Sequence, residues 1–180
     1  MLIDKDQSAL LIIDIQERLL PVMNAPDMVV ENSKHLIKGA SILGVDVLAS
    51  EQYPKGLGHL VEPVLSLLSD GAVQEKETFS CMADERFAQH FNALNKTQAI
   101  ICGIEAHVCV LQTTIELIAN GVKVFVVADA TSSRTSANHM IGMDRAQSAG
   151  AEIVTTEMVL FEWLRRAGTP EFKEISKLVK

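Results

Sequence analysis

The sequence predicts an α/β fold in which helices cover both faces of a parallel sheet, and three observations carry that reading. Short apolar runs recur along the chain, each bounded by polar or turn residues. Stretches with helical spacing alternate with these runs, and glycines stand where several of those helices would end. The strand candidates are 9–13, 45–49, 71–74, 99–102, 122–127 and 152–155, which makes about six strands of ordinary length. The helix candidates are 28–43, 60–68, 84–94, 108–120, 136–148 and 157–166. Gly44, Gly121 and Gly150 follow three of them, at positions where a left-handed glycine closes a helix. A last helix is expected after Thr169, as N-cap, with Pro170 in its first turn. Its stripe of Phe172, Ile175, Leu178 and Val179 must pack against the body of the protein.

The 180 residues, 48% of them hydrophobic, suffice for one well-buried core, and neither a repeat nor a Gly/Ser-rich linker divides them. A single domain over 1–180 is expected. Sixteen Lys and Arg against 23 Asp and Glu leave a net charge of -7, the opposite of the basic footprint that nucleic acid or an anionic membrane requires. The expected partner is a small molecule. Three cysteines do not make a disulfide framework, which points to a reducing, cytoplasmic setting. The apolar run at 9–13 is flanked by Asp4, Asp6 and Asp14 and does not read as a signal peptide, and no window spans a bilayer.

Chemistry is expected where strands end, because open α/β sheets bind ligands outside their carboxyl edge. Asp14 closes the first strand, Lys76 follows the third, and Cys109 follows the fourth after the turn GIEAHV. Neighbouring strand ends lie about 5 Å apart, so three residues distant in sequence can share one site. A thiol at the start of a helix beside an ammonium is expected to ionise, and a nearby carboxylate can take up and return its proton. Each residue alone has an ordinary structural explanation, since buried cysteines, strand-ending aspartates and solvated lysines are common. Cys102, inside AIICG, is assigned to the core, and Cys81 to a loop with no evident base. His107 is a rival base for Cys109, since a Cys-His pair is the commoner combination, but residues two apart along a turn rarely face one another. His35, His59, His90 and His139 are scattered singly, without metal-binding spacing. Phosphate and dinucleotide fingerprints are absent.

The blocks LLIIDIQERL, SEQYPKGLGH, QEKETFSC, GIEAHVCVLQTTIELIANG, VVADATSSR and PEFKEISKLVK, in this order, resemble the isochorismatase-like cysteine hydrolases, and within them the isochorismatase domain-containing proteins. The resemblance implies a Rossmann-like three-layer α/β/α fold with a catalytic triad of Asp14 as base, Lys76 as cation and Cys109 as nucleophile. It also implies a cis peptide joining Ile104 to Glu105, and an oxyanion hole from the backbone N–H groups of Glu105 and Cys109. Gln16 matches a pocket position, and Tyr53, Phe79 and Ile104 are assigned with it to the substrate-binding wall. The nicotinamidase branch carries an Asp-x-His metal site where this chain reads Glu51, Gln52, Tyr53, so no metal and no cofactor are expected. The members that cleave isochorismate lack the cysteine, which moves the expectation to a C–N bond.

The expected function is therefore metal-independent hydrolysis of a small amide or related carbonyl compound through a thioester. The alternatives are a binding module that has lost turnover and a thiol redox sensor, the latter needing a second cysteine within disulfide reach of Cys109. Relatives of this fold commonly form homo-oligomers, and an oligomer is expected here, with Phe161, Trp163 and Phe172 either in an interface or capping the domain.

Overall fold

The computed structural model describes residues 1–179; Lys180, the last residue of the expected domain, lies outside them. Its strands are β1 (Ser8–Ile13), β2 (Asp46–Gln52), β3 (Val73–Lys76), β4 (Gln98–Ile104), β5 (Lys123–Ser132) and β6 (Glu152–Val154). They form one sheet in the order β3-β2-β1-β4-β5-β6, with every neighbouring pair parallel. The helices are α1 (Pro26–Leu43), α2 (Pro54–Leu57), α3 (Glu62–Leu65), α4 (Glu85–Ala93), α5 (Leu111–Ala119), α6 (Ser136–Ser148), α7 (Thr156–Leu164) and α8 (Pro170–Ile175).

Successive strand residues point to opposite faces, and the apolar runs feed two cores accordingly. Leu10, Ile12, Ile100, Cys102, Phe125 and Val127 face one side, where α1, α7 and α8 add Leu36, Ile37, Leu160, Trp163 and Ile175. Ala9, Leu11, Ile13, Ala99, Ile101, Val124 and Val126 face the other, where α4, α5 and α6 add Phe87, Phe91, Leu117 and Met143. β1 is buried at every residue because both its faces are covered. Helix ends follow the local chemistry. Thr135, Thr155 and Thr169 each accept a hydrogen bond from a first-turn amide of α6, α7 and α8, and Gly44 closes α1 at φ +70°.

The structure departs from the sequence expectation in two places that matter. The helix expected over 60–68 shrinks to the single turn α3, because Pro63 lacks an amide hydrogen and fits only the first turn. The strand expected at 71–74 slides to 73–76, because Gly71, at φ +81°, and the bond from Ala72 N–H to Ser69 O make a turn first. That slide carries Lys76 into the sheet.

The strand order reverses between β1 and β4, so a crevice opens at their carboxyl ends. Gly103 sets how closely the two strands meet there. It lies at φ +119°, and a Cβ on it would sit 2.0 Å from the carbonyl oxygen of Ile13. Gly103→Ala is expected to cost about 3 kcal/mol or more in urea unfolding, or to prevent folding. Gly44→Ala has open space and only a left-handed backbone against it, and it should cost about 1 kcal/mol.

Candidate active site

Asp14 is the first residue beyond β1 and turns into the left-handed region at φ 51°. The register pairs Ile13 with Ser50 and Gln52 with Lys76, which brings three strand ends together. Ser50 Oγ donates to Asp14 Oδ1 at 2.7 Å, and Lys76 Nζ donates to Asp14 Oδ2 at 2.8 Å. The same ammonium reaches Gln52 Oε1 at 2.8 Å and the carbonyls of Thr78 and Phe79 at 3.2 Å. Both charged side chains are completely withdrawn from solvent. Removing such a pair from water costs several kcal/mol per ion, recovered only when every donor and lone pair is matched. Burial by itself would lower the Lys76 ammonium, but the Asp14 carboxylate and the two nearby thiols outweigh it, and the group is held above the usual lysine range.

Cys109 lies in a π-helical turn, Ala106–Val110, between β4 and α5. The Ile104–Glu105 peptide that leads into it is cis. Val110 N–H reaches back five residues to Glu105 O at 3.3 Å, so the chain is wider here than the α-helix expected from residue 108. The expectation that Cys109 ionises is corrected. Burial pushes its thiol well above the usual cysteine range, and the negative charge of the Asp14 carboxylate pushes it further. Lys76 works in the opposite direction, but its charge is already matched by Asp14. The resting group is the thiol.

Cys81 is not the incidental loop thiol that the sequence suggested. It is fully buried in the same cluster as Cys109, and its amide donates to Thr113 Oγ1 on α5 at 2.9 Å. Burial, with the Asp14 carboxylate adding, pushes its thiol up to about 11. Cys102 is a core residue as expected, hydrogen-bonded by Ser33 Oγ at 3.6 Å and pushed up to about 12 by burial.

The residues assigned to the substrate wall divide. Tyr53 and Phe79 are 50% and 55% exposed, on the loops that follow β2 and β3. Gln16 is buried and fully engaged, donating to Gln52 O and Gly58 O and accepting from Gln52 N–H, so it holds the loop rather than facing a ligand. The side chain of Ile104 packs into the core on the α1 side. Arg134 holds Glu105 through its N–H and Nε at 3.2 and 3.1 Å, and His107 pairs with Ser133 Oγ at 2.9 Å. Both oxygens of Glu51 serve the loop as well, accepting from Leu60 N–H and pairing with His59. Among the described residues no group of three His, Cys, Asp or Glu is arranged to hold a metal ion. A cleft of about 410 Å³ lies beside the cluster, walled by Tyr53, Lys55, Lys76, Thr78 and Arg86. Cys109 and Asp14 do not line it.

Sequence reasoning missed Ser50, Gln52 and Cys81. Only strand register could have found the first two, because Ser50 and Gln52 are ordinary polar residues until β1 and β3 are laid beside β2.

Fold and site together define an α/β protein with a thiol, a carboxylate and an ammonium gathered at the switch point of a parallel sheet. Residues 8–158 match the isochorismatase domain, and the chain belongs to the isochorismatase family. It is similar to isochorismatase domain-containing protein 1 of Salmo salar, 36% identical over 167 residues, 93% of this chain. The chain spans about 59% of that relative's length. The MAR1 ribonuclease structure of Caenorhabditis elegans is 34% identical and superposes with a TM-score of 0.93, covering 99% of this chain and 92% of its own. The YcaC gene product of Escherichia coli, described as an octameric hydrolase of unknown specificity, is 25% identical with a TM-score of 0.93, covering 99% and 90%.

Replacing Lys76 with Met leaves the Asp14 carboxylate buried without its cation. Urea unfolding should show a loss of about 3–5 kcal/mol. The double variant Asp14→Asn with Lys76→Met should recover much of it, and equal losses in the two would show that the pair is not coupled.

Proposed function

We propose that this protein is a cysteine hydrolase that cleaves a small amide or related carbonyl compound, without a metal, through a thioester on Cys109. The observation that carries the reading is the Cys109 thiol held near a buried carboxylate that is itself paired with Lys76. In the proposed reaction Asp14 takes the thiol proton as the sulfur attacks the carbonyl carbon, and the backbone N–H groups of Glu105 and Cys109 receive the developing oxyanion. The C–N bond breaks as Asp14 returns that proton to the leaving amine. Water then attacks the thioester, again giving its proton to Asp14, and the C–S bond breaks to release the acid and regenerate the thiol. Lys76 stays protonated throughout, keeping Asp14 in place and compensating the charge formed on the sulfur. Tyr53 and Phe79 supply exposed aromatic walls for a small organic group.

Membership of a family named for a hydrolase supports the class of reaction. RNA, suggested by the name of the nematode relative, is the weaker reading, because a net charge of -7 repels a polyphosphate strand. Self-association is supported by the octameric description of the bacterial relative and by exposed Met140, Ile141, Met158 and Phe161. Trp163 is buried and caps the domain. Among the described residues no helix is long and apolar enough to cross a membrane, and three unpaired cysteines favour a reducing, cytoplasmic setting.

A panel of small amides, with an RNA oligonucleotide as control, should reveal release of ammonia or amine by the native chain and a loss of at least about 100-fold in Cys109→Ala. Hydrolysis undiminished in that variant would sink the proposal. Asp14→Asn gives a sharper check. It removes the charge that keeps the thiol protonated, so iodoacetamide should alkylate Cys109 several-fold faster near neutral pH while amide hydrolysis collapses. Alkylation unchanged or slowed would show that Asp14 does not govern the sulfur.

A further inference from the structure

We infer that Cys81 and Cys109 form a dithiol pair that a hydroperoxide converts to a disulfide, reversibly shutting the site. The inference rests on the hydrolase reading for its activity measurement alone. Cys81 is a buried thiol beside Asp14 and Lys76 that the proposed hydrolysis leaves unused. It is placed there by structure: its amide is held 2.9 Å from Thr113 Oγ1, and Thr113 follows Cys109 by four residues, so the two share a face of the helical segment. Cys81 therefore packs against the helical segment that carries Cys109, where the inferred bridge would join two Cα atoms about 4.4–6.8 Å apart. Both side chains belong to the core cluster on the α5 side of the sheet. Cys102 faces the opposite cluster, against Ser33 of α1, and the sheet itself separates it from the pair.

Exposure sets the order of events, since Cys109 retains 6% of its surface and Cys81 none. The peroxide therefore meets Cys109 first. Asp14 takes the thiol proton as the sulfur attacks a peroxide oxygen; the O–O bond breaks, and the departing oxygen takes that proton as water or an alcohol. Cys109 is left as a sulfenic acid. The Cys81 sulfur then attacks the Cys109 sulfur, the S–S bond forms, the S–O bond breaks, and the hydroxyl leaves as water with the Cys81 proton. Two thiols are oxidised and one hydroperoxide is reduced. The fully buried partner thus intercepts the sulfenic acid before a second peroxide can carry it to the irreversible sulfinic acid.

The test exposes the reduced full chain to hydrogen peroxide, blocks remaining thiols under denaturing conditions, and reads the mass. The native chain should lose two hydrogens. Cleavage after glutamate, with Glu105 standing between Cys102 and Cys109, should yield a peptide pair linking Cys81 to Cys109. Cys102→Ser should behave identically. Cys81→Ser should instead accumulate a dimedone-reactive Cys109 and progress to the sulfinic mass. After treatment with dithiothreitol it should regain less than about a tenth of the Cys109 thiol that the native chain regains. Cys81→Ala, with an unchanged circular dichroism spectrum, guards against a folding defect in the serine variant. A link through Cys102, no link at all, or full recovery of the thiol in both Cys81 variants would overturn the inference. Because mass reports the bridge directly, its formation or failure is read even in a chain that hydrolyses no amide, and loss of amidase activity on oxidation is measured separately.

Discussion

Lys76 and Asp14 meet at 2.8 Å with no water contact, and the sheet edge is organised around keeping both of them charged there. Neither ion would be tolerated alone at that depth. Ser50 satisfies the second oxygen of the carboxylate, while Gln52 and two loop carbonyls satisfy the ammonium. Those acceptors in turn fix the loop after β3, so Phe79 is presented to solvent by the same bonds that hold the charge. A buried ion pair contributes little net stability for its desolvation. An ion pair this costly, placed at the switch point of the sheet, supports the proposed chemistry there.

The pair also sets the state of the sulfur. Since Lys76 is already matched by Asp14, the thiol sees a buried surrounding and a carboxylate ahead of it, and it keeps its proton at rest. This suits the proposed hydrolase, because the base that would take the proton stands near it and ionisation is deferred until a carbonyl arrives. It suits a second thiol close by for the same reason: the low intrinsic reactivity of both sulfurs limits idle oxidation, and the inferred bridge protects the more exposed one.

Much of the fold was legible along the chain. The apolar runs located all six strands, although β5 runs five residues past its expected end at 127, and the capping threonines and closing glycines located most helix ends. The errors arose where the local signal was ambiguous. The run at 60–68 has helical spacing, yet Pro63 and the bridge from Leu60 to Gln16 override it. The third strand is shifted because a glycine turn precedes it. At the site, Asp14, Lys76 and Cys109 were legible as strand-end residues of the right chemical type and from family resemblance, whereas Gln16 and Ile104 were misassigned. A sequence block does not reveal that one amide side chain is consumed by three backbone bonds, or that one isoleucine points to the far core.

By itself the sequence determined the alternation of strands and helices, the charge balance and the three residues on which the proposed chemistry is placed, because these depend on local spacing and residue type. Only the tertiary structure decided which strands are neighbours, that Ser50 and Gln52 complete the ion pair, that Cys81 rather than Cys102 lies with Cys109, and that the thiol is protonated. Those outcomes depend on register, sheet face and burial, which arise when distant segments are packed together and solvent is removed.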